Sequence, residues 1–360
     1  MMNTFGDVLK NARLEMGRKL SDVSHDLRID VAILSKIERG LRKATRAQVL
    51  VFIDYYQLDE KKAFSLWLSD KILYELMNET YSLDALAVAE ERVKYQALKQ
   101  KEAYSELDQS LLERLAYLDE QKKKWVANRP LNKTQLEKMR EALHVEYTYE
   151  SNRIEGNTLT LQETHLVVNE GLTIGGKSMR EHLEAINHYE AIDFIIDLAQ
   201  KKQPITERVI KQIHYLVLKG IDKENAGVYR SVPVIISGSS HKPPQPYLLT
   251  KEMEDVMAFY QDNKNSLHPV LLAAEMHERL VSVHPFIDGN GRTSRLLMNL
   301  ILLQNAYTIV NLKGSVTAKL AYYNALESAH LDNGRLPFHS LICEAAIDSV
   351  EAHLALVGVS

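Results

Sequence analysis

One cysteine, Cys343, is all the thiol chemistry available to this chain of 360 residues. A lone thiol forms neither an intramolecular disulfide nor a thiolate zinc site, so a reducing, cytoplasmic setting and a buried Cys343 are expected. Long apolar runs are missing as well. Nothing approaches the roughly 20 residues that span a bilayer, and no basic-then-apolar leader opens the chain, so membrane insertion and export are not expected. Charge of one sign is lacking too: 44 Lys and Arg against 48 Asp and Glu leave a formal net charge of −4. That balance gives no global attraction to nucleic acid, and any DNA contact must come from a local patch. With 45% hydrophobic residues, the chain is long enough for two or three domains with cores of their own.

Glycine and proline are absent from Leu41 to Arg129. Continuous helix is the default reading there, with Phe64, Leu66, Leu68, Ile72, Leu73 and Leu76 as packing positions. The charged run from Glu90 to Lys124 reads as a helical arm. Asn128-Arg129-Pro130 is the clearest break, after which Asn132 or Thr134 can start the next helix.

The most informative segment runs from His284 to Arg295: His-Pro-Phe-Ile-Asp-Gly-Asn-Gly-Arg-Thr-Ser-Arg. It lies between helix-like stretches Leu271–Val283 and Arg292–Gln304, so Asp288 to Gly291 reads as a loop. Gly289 and Gly291 are able to take positive φ, which would aim backbone amides of Gly289, Asn290 and Gly291 at one point ahead of the second helix. Arg292 and Arg295 lie three apart, so both guanidiniums can reach one anion. Asp288 beside such a nest would repel a phosphate unless a hard cation bridged them, which points to Mg²⁺. His284, with a near-neutral intrinsic pKa, is suited to take a proton from an attacking hydroxyl. Plain turn chemistry would account for Asp-Gly-Asn-Gly, but not for Phe286 inside a polar loop or for two arginines at helical spacing.

This string resembles the signature of the Fic family, His-x-Phe-x-Asp/Glu-Gly-Asn-Gly-Arg-x-x-Arg, at every specified position. The resemblance implies AMP transfer from ATP to a Ser, Thr or Tyr hydroxyl of a protein. It implies His284 as general base, Asp288 as Mg²⁺ ligand and Gly289 to Gly291 as phosphate cradle. Arg292 would hold the transferring or leaving phosphates and Arg295 the γ-phosphate.

Two other segments fit the same family. Gly227-Val-Tyr-Arg230 precedes a β-branched run, Val232 to Ile236, then Ser237 to Pro244, which reads as a short hairpin. In Fic proteins this is the flap, and Val234, Ile235 and Ile236 would hold an extended target segment by main-chain hydrogen bonds. Ser151-Asn-Arg-Ile-Glu155-Gly156-Asn157 resembles the inhibitory motif Ser/Thr-x-x-x-Glu-Gly/Asn. Glu155, supported by Ser151, would form a bidentate pair with Arg295 and displace the γ-phosphate. Read without that company, Glu155 is a solvated residue before a C-cap glycine. Some relatives with this glutamate also remove AMP, so de-AMPylation stays open. Tyr323 is placed against adenine by the resemblance, although an aromatic at helical spacing also suits a core. Glu184 and Asn187 resemble positions near the nucleotide pocket.

At the N-terminus, Phe5–Arg13, Leu20–Leu27 and Val31–Arg39 read as helices, the third capped by Asp30 and stopped by Gly40. The run Leu20 to Gly40 resembles the Cro/C1-type repressor fold. Ser35, Lys36, Arg39, Arg42 and Lys43, with Arg46, form the basic patch able to meet DNA, while a protein-docking or dimerisation role suits the same fold equally.

The expected architecture is all-α with one small β-hairpin: a helix-turn-helix domain over 1–68, a helical connector over 69–129 and a Fic domain over 130–360. The expected function is an autoinhibited protein adenylyltransferase using ATP and Mg²⁺, modifying target proteins and itself, with DNA and a second copy of the chain as further partners. The competing readings are a DNA-binding regulator whose Fic domain senses nucleotide, and a Fic toxin moving another phosphate-containing group.

Overall fold

The computed structural model describes residues 4–77, 79–90, 93, 108–128, 133–236, 238–330 and 334–358, with backbone alone for 133–138 and 140. The protein is all-α, and no strand occurs among the described residues. Contacts divide the chain into two units, Met1–Tyr95 and Gln96–Ser360.

In the first unit α1 (Phe5–Glu15), α2 (Leu20–Leu27), α3 (Val31–Glu38), α4 (Arg46–Tyr56) and α5 (Glu60–Leu76) enclose Leu9, Val23, Leu34, Val49 and Phe52, all at 0% exposure. A further helix, α6, covers residues 82–90. Short polar side chains start these helices: Thr4 and Asp7 form a capping box for α1, and Asp30 accepts the amides of Ala32 and Ile33 at 2.8 and 3.1 Å. The glycine-free stretch is therefore not one helix. Gln57 takes a left-handed conformation (φ 51°) to end α4, and Asp59 caps α5. Phe64 and Leu66 pack on the core as expected, whereas Leu68, Ile72 and Leu73 are exposed, because α5 turns only one face inward.

α1 and α3 cross closely: a Cβ on Gly6 would sit 2.6 Å from the carbonyl oxygen of Ile37. Arg13 is clamped across the same crossing, with Nε 2.7 Å and Nη2 2.8 Å from the two carboxylate oxygens of Glu38. Both side chains are buried, so each charge depends on the other for its solvation.

The second unit is built on two helices that are buried nearly all round, α13 (Pro269–Val283) and α14 (Asn290–Gln304), packed against each other. A helix buried on every side belongs at the centre of a fold, and here it carries the site. Around the pair stand α10 (Met179–Gln200), α11 (Glu207–Leu218), α12 (Leu249–Asn263) and α16 (Leu336–Leu356). α8 (Lys133–Ile154) and α9 (Leu161–Glu170) lie against α10, and α15 (Val316–His330) against α16. α7 (Gln109–Ala127), expected within a connector, buries Leu111, Leu115, Leu118 and Trp125 in this unit's core against α16. Each such fully buried side chain stabilises the fold by roughly 1.5–3 kcal/mol. Most of the expected arm between Glu90 and α7, and the break at Arg129–Pro130 with Asn132, lie outside the described residues. Cys343 is in the core, where burial pushes its thiol pKa up to about 11.

The segment expected as a β-hairpin is irregular. Val234, Ile235 and Ile236 have no strand assignment, and Ile235 is 88% exposed; Ser237 lies outside the described residues. Tethers to side chains hold the segment instead of a ladder. Glu327 of α15 accepts the Ser240 amide at 2.8 Å and the hydroxyls of Ser239 and Ser240, and His241 Nε2 meets the Ser282 carbonyl at 2.9 Å.

Replacing Glu38 by Ala leaves the Arg13 guanidinium buried without its anion, at a cost of about 3 kcal/mol. Amide exchange over residues 5–56 of the full chain should accelerate accordingly while α13 and α14 stay protected. Unchanged exchange over α1 and α3 would show that the pair stabilises nothing.

Candidate active site

The turn between the two central helices is fixed from both ends. α13 ends at Val283, and His284 takes the left-handed conformation (φ 47°, ψ 56°) as its C-cap. Positive φ is uncommon and strained for a residue with a Cβ, and here it turns the imidazole back towards the helix ends. Gly289 (φ 77°) caps α14, which starts at Asn290, two residues earlier than the sequence suggests. Of the two glycines expected to use positive φ only Gly289 does so, because Gly291 already lies in the first turn of α14.

Inside the turn Phe286 is fully buried. Its amide donates to Asn290 Oδ1 at 3.0 Å and its carbonyl accepts from Asn290 Nδ2 at 2.9 Å. The Asn290 side chain is thereby committed to bracing the loop, leaving only its backbone to meet a ligand. His214 of α11 stacks on the Phe286 ring with centroids 3.6 Å apart and planes within 6°. One of its nitrogens accepts the Gly227 amide at 2.9 Å, and the other donates to the Asp288 carbonyl at 2.8 Å. Those two bonds require the neutral Nε2–H tautomer, consistent with burial that lowers the His214 pKa to about 4. Arg230 is the second brace. Its guanidinium donates to the carbonyls of His284, Val232 and Pro244 at 2.8, 3.0 and 2.6 Å, and its amide to Pro285 at 2.9 Å. Arg230 thus ties the irregular flap to the turn. His214 carried no motif signal, and Arg230 was visible only as the end of Gly227-Val-Tyr-Arg.

His284 Nδ1 lies 3.3 Å from the Val281 carbonyl, which places its proton there and leaves the Nε2 lone pair available. Burial lowers its pKa below the ordinary 6.5, and the Arg230 guanidinium adds to that against the Val281 carbonyl. The imidazole is therefore neutral at pH 7 and can accept a proton. Asp288 is ionised: burial opposes its charge, but Arg292, the Gly289 amide and Arg180 hold its carboxyl below the usual range.

Arg292 and Arg295 are 2% and 1% exposed. Arg292 Nη1 faces Glu184 at 3.2 Å without forming a hydrogen bond, Nη2 faces Asp288 at 3.4 Å, and Nε has no hydrogen-bond acceptor. Arg295 donates from Nε to Ser151 Oγ at 3.0 Å, and from Nη2 to the Ser151 carbonyl at 2.9 Å and Glu155 Oε1 at 2.7 Å; its Nη1 is unsatisfied. Contact between Glu155 and Arg295 is thus through one nitrogen and one oxygen rather than the expected two-pronged pair, since Ser151 takes up the rest of that edge. The carboxylate reaches in because Gly291 has no side chain: a Cβ there would lie 2.4 Å from Glu155 Oε1. Burial raises the Glu155 pKa, and the Arg295 and Arg292 guanidiniums more than reverse this, so it is held ionised below the ordinary range.

Tyr323 is exposed beside this pair, its hydroxyl donating to the Ile154 carbonyl at 3.3 Å. Glu184 accepts from Asn157 at 2.9 Å, tying the end of the Glu155 segment to α10. Asn187 is a brace, donating to the Val217 and Lys219 carbonyls at 3.2 and 2.6 Å. In the first unit, Lys36, Arg39 and Arg42 are exposed on and after α3, and Ser35 is half-buried. Lys43 is engaged by Glu75 at 3.3 Å and by the Tyr74 ring, which weakens it as a phosphate contact.

The geometry therefore assembles a neutral base, an ionised carboxylate and two buried guanidiniums with spare donors around a gap that a glutamate partly fills. Unsatisfied buried N–H groups imply an acceptor-rich, anionic ligand.

Residues 204–302 match the model of the Fic/DOC family. A protein adenylyltransferase Fic of Nematostella vectensis is 33% identical over 285 residues, covering 79% of this chain and 63% of its own length. One of Drosophila willistoni is 34% identical, covering 72% of this chain and 51% of its own. The chain thus spans about half to two thirds of the length of these curated relatives. Among solved structures, a Fic-domain-containing signalling protein of Bacteroides thetaiotaomicron superposes with a TM-score of 0.62 at 29% identity, covering 69% of this chain and 99% of its own. Fic-1 of C. elegans shares the fold, with a TM-score of 0.61 at 24% identity and coverage of 98% and 99%. Because the matching segment holds His214, Arg230 and the entire turn from His284 to Arg295, this chain carries a Fic/DOC-type domain.

Proposed function

We propose that the site transfers AMP from ATP to a hydroxyl of a protein, and that Glu155 keeps this activity low at rest. The observation that supports the reading is the pair of buried guanidiniums with unsatisfied N–H donors, set around Gly291, with the Glu155 carboxylate on Arg295. A neutral imidazole at the end of the same turn supplies the base. The curated relatives named protein adenylyltransferase point the same way.

The chemistry is a displacement at the α-phosphorus. The hydroxyl oxygen bonds to phosphorus as the bond to the β-bridging oxygen breaks, pyrophosphate departs, and the hydroxyl proton passes to Nε2 of His284. The Gly289 amide is taken by Asp288 at 2.6 Å, so of the expected cradle the backbone amides of Asn290 and Gly291 would meet the phosphates, with Arg292 and Arg295 offsetting their charge and the Tyr323 ring offering a surface for adenine. No cluster of three metal-ligating side chains occurs among the described residues. Asp288 alone therefore fits Mg²⁺ that arrives with the nucleotide, where the ion supplies charge neutralisation on the phosphates.

The segment around Val234, Ile235 and Ile236, fastened to α15 and to the turn, would hold the target, and the chain itself is an available substrate. De-AMPylation at the same site, with Glu155 aligning water, is part of this proposal. In the first unit the exposed Lys36, Arg39 and Arg42 with Ser35 give a surface that would meet DNA, and two copies of the chain would read two half-sites. A regulator that only senses nucleotide, or transfer of another phosphate-containing group, would share the fold but lack protein labelling by ATP labelled at the α-phosphate.

Incubating the full chain with Mg²⁺ and ATP labelled at the α-phosphate should label protein weakly in the wild type. Labelling should rise on the order of tenfold or more in Glu155→Gly, as the charged hydrogen bond to Arg295 is released. Equal labelling of the two would refute inhibition by Glu155, and label from γ- but not α-labelled ATP would refute AMP transfer. Introducing His284→Ala into the Glu155→Gly protein should slow labelling about 10²–10⁴-fold, the usual contribution of a general base.

The lowered His284 pKa also sets a pH profile. A base with a depressed pKa stays neutral to lower pH, so kcat/KM should rise with pH along a limb centred below 6.5 and be flat through neutrality. A limb centred at or above 6.5 would assign the proton acceptor elsewhere.

A further inference from the structure

One cation at the mouth of the site has no part in the reaction just described. Arg180 stands in the first turn of α10, where the helix dipole disfavours positive charge, and its side chain is 58% exposed. Its Nη2 nevertheless lies 2.5 Å from Asp288 Oδ2, and its Nε 3.2 Å from Glu184 Oε1. The other oxygen of Asp288 accepts the Gly289 amide at 2.6 Å and faces Arg292 at 3.4 Å. Arg180 therefore covers the oxygen that points away from the loop. It shares with Glu155, Glu184, Asp288 and Arg292 a cleft of about 250 Å³.

We propose that Arg180 is a stand-in cation, occupying the oxygen of Asp288 that a divalent metal would take and making nucleotide entry less dependent on metal. The inference rests on reading the site as a nucleotide site. A magnesium ion bonds a carboxylate oxygen at about 2.0–2.1 Å, so the guanidinium and the ion cannot hold Oδ2 together. With Arg180 in place, Asp288 is neutralised and does not repel an incoming polyphosphate, even without metal. Without Arg180, Asp288 keeps only Arg292 and the Gly289 amide on its other oxygen, and its uncovered Oδ2 repels the phosphates until a metal bridges them. Glu184 tethers the guanidinium at the mouth when metal displaces it, so exchange needs only a side-chain rotation.

The test is the affinity of the full chain for ATP, measured by titration calorimetry in EDTA and in Mg²⁺. Glu155→Gly is compared with Glu155→Gly/Arg180→Ala, so that Glu155 does not compete in either. The ratio of Kd in EDTA to Kd in Mg²⁺ should grow by about tenfold or more on removing Arg180, the scale of one charge-assisted contact. Arg180→Lys, which keeps the charge, should restore part of the metal-free binding. An unchanged ratio overturns the inference, and so does a loss by one common factor in both conditions, which would make Arg180 an ordinary phosphate ligand. If Glu155→Gly binds no ATP in either condition, the nucleotide-site reading itself falls, and this inference with it. Arg180 is exposed and away from the core, so its replacement leaves folding intact.

Discussion

Two guanidiniums taken out of water at the centre of a helical domain are the constraint around which the second unit is arranged. Desolvating an ion costs several kcal/mol even after the protein relaxes, so Arg292 and Arg295 require anions or acceptors close by. α8 brings Ser151, and Glu155 follows directly after it; α10 brings Glu184; the turn between α13 and α14 brings Asp288. Three separate pieces of chain thus converge on one helix turn. Glu184 and Asp288 each serve two cations and Glu155 one, and nitrogens remain unsatisfied all the same. A polyphosphate, with many acceptor oxygens, suits such a surplus better than any single carboxylate.

Keeping these charges in place demands a turn that does not move. The backbone from Pro285 to Gly289 would be floppy on its own, and its rigidity comes from outside. Phe286 anchors it in the core, Asn290 closes a ring of two hydrogen bonds on it, His214 supports it from α11, and Arg230 grips its first carbonyls. The strain at His284 is sustained only because these contacts over-determine its backbone. Through Arg230 the irregular segment after Val232 and the turn at His284 share one anchor.

Much of this was legible in the sequence and part was not, for physical reasons. The helices were readable from apolar periodicity and cap residues: Asp30 caps α3, and the two central helices fall within a few residues of where their patterns place them. Local chemistry showed the candidate site, because the motif packs base, carboxylate and guanidiniums within twelve residues. Long-range partners were not readable. Nothing in the spacing of His214 reveals that it stacks on Phe286, since that depends on how α11 crosses the loop. Arg180 was equally silent, being one more charged residue on a long helix. The hairpin was misread because a β-branched run suggests strands, whereas here carbonyl and hydroxyl tethers replace the ladder. Likewise, a stretch without Gly or Pro suggested unbroken helix, but Gln57 and Asp59 break it by conformation and capping.

Sharing Arg295 between stability and function has a thermodynamic consequence. Glu155 sits on a segment that Asn157 ties to Glu184, while Glu184 also faces Arg292, so the carboxylate, its tether and the second guanidinium form one network. Removing the Glu155 carboxylate leaves a buried cation short of an anion, which destabilises the resting fold; a bound phosphate restores the anion. An anion that bound Arg295 in place of Glu155 would therefore stabilise the folded chain in proportion to its affinity. Glu155 and an anionic ligand would thus be alternative ways of satisfying the same buried charge, because both would meet the guanidinium of Arg295.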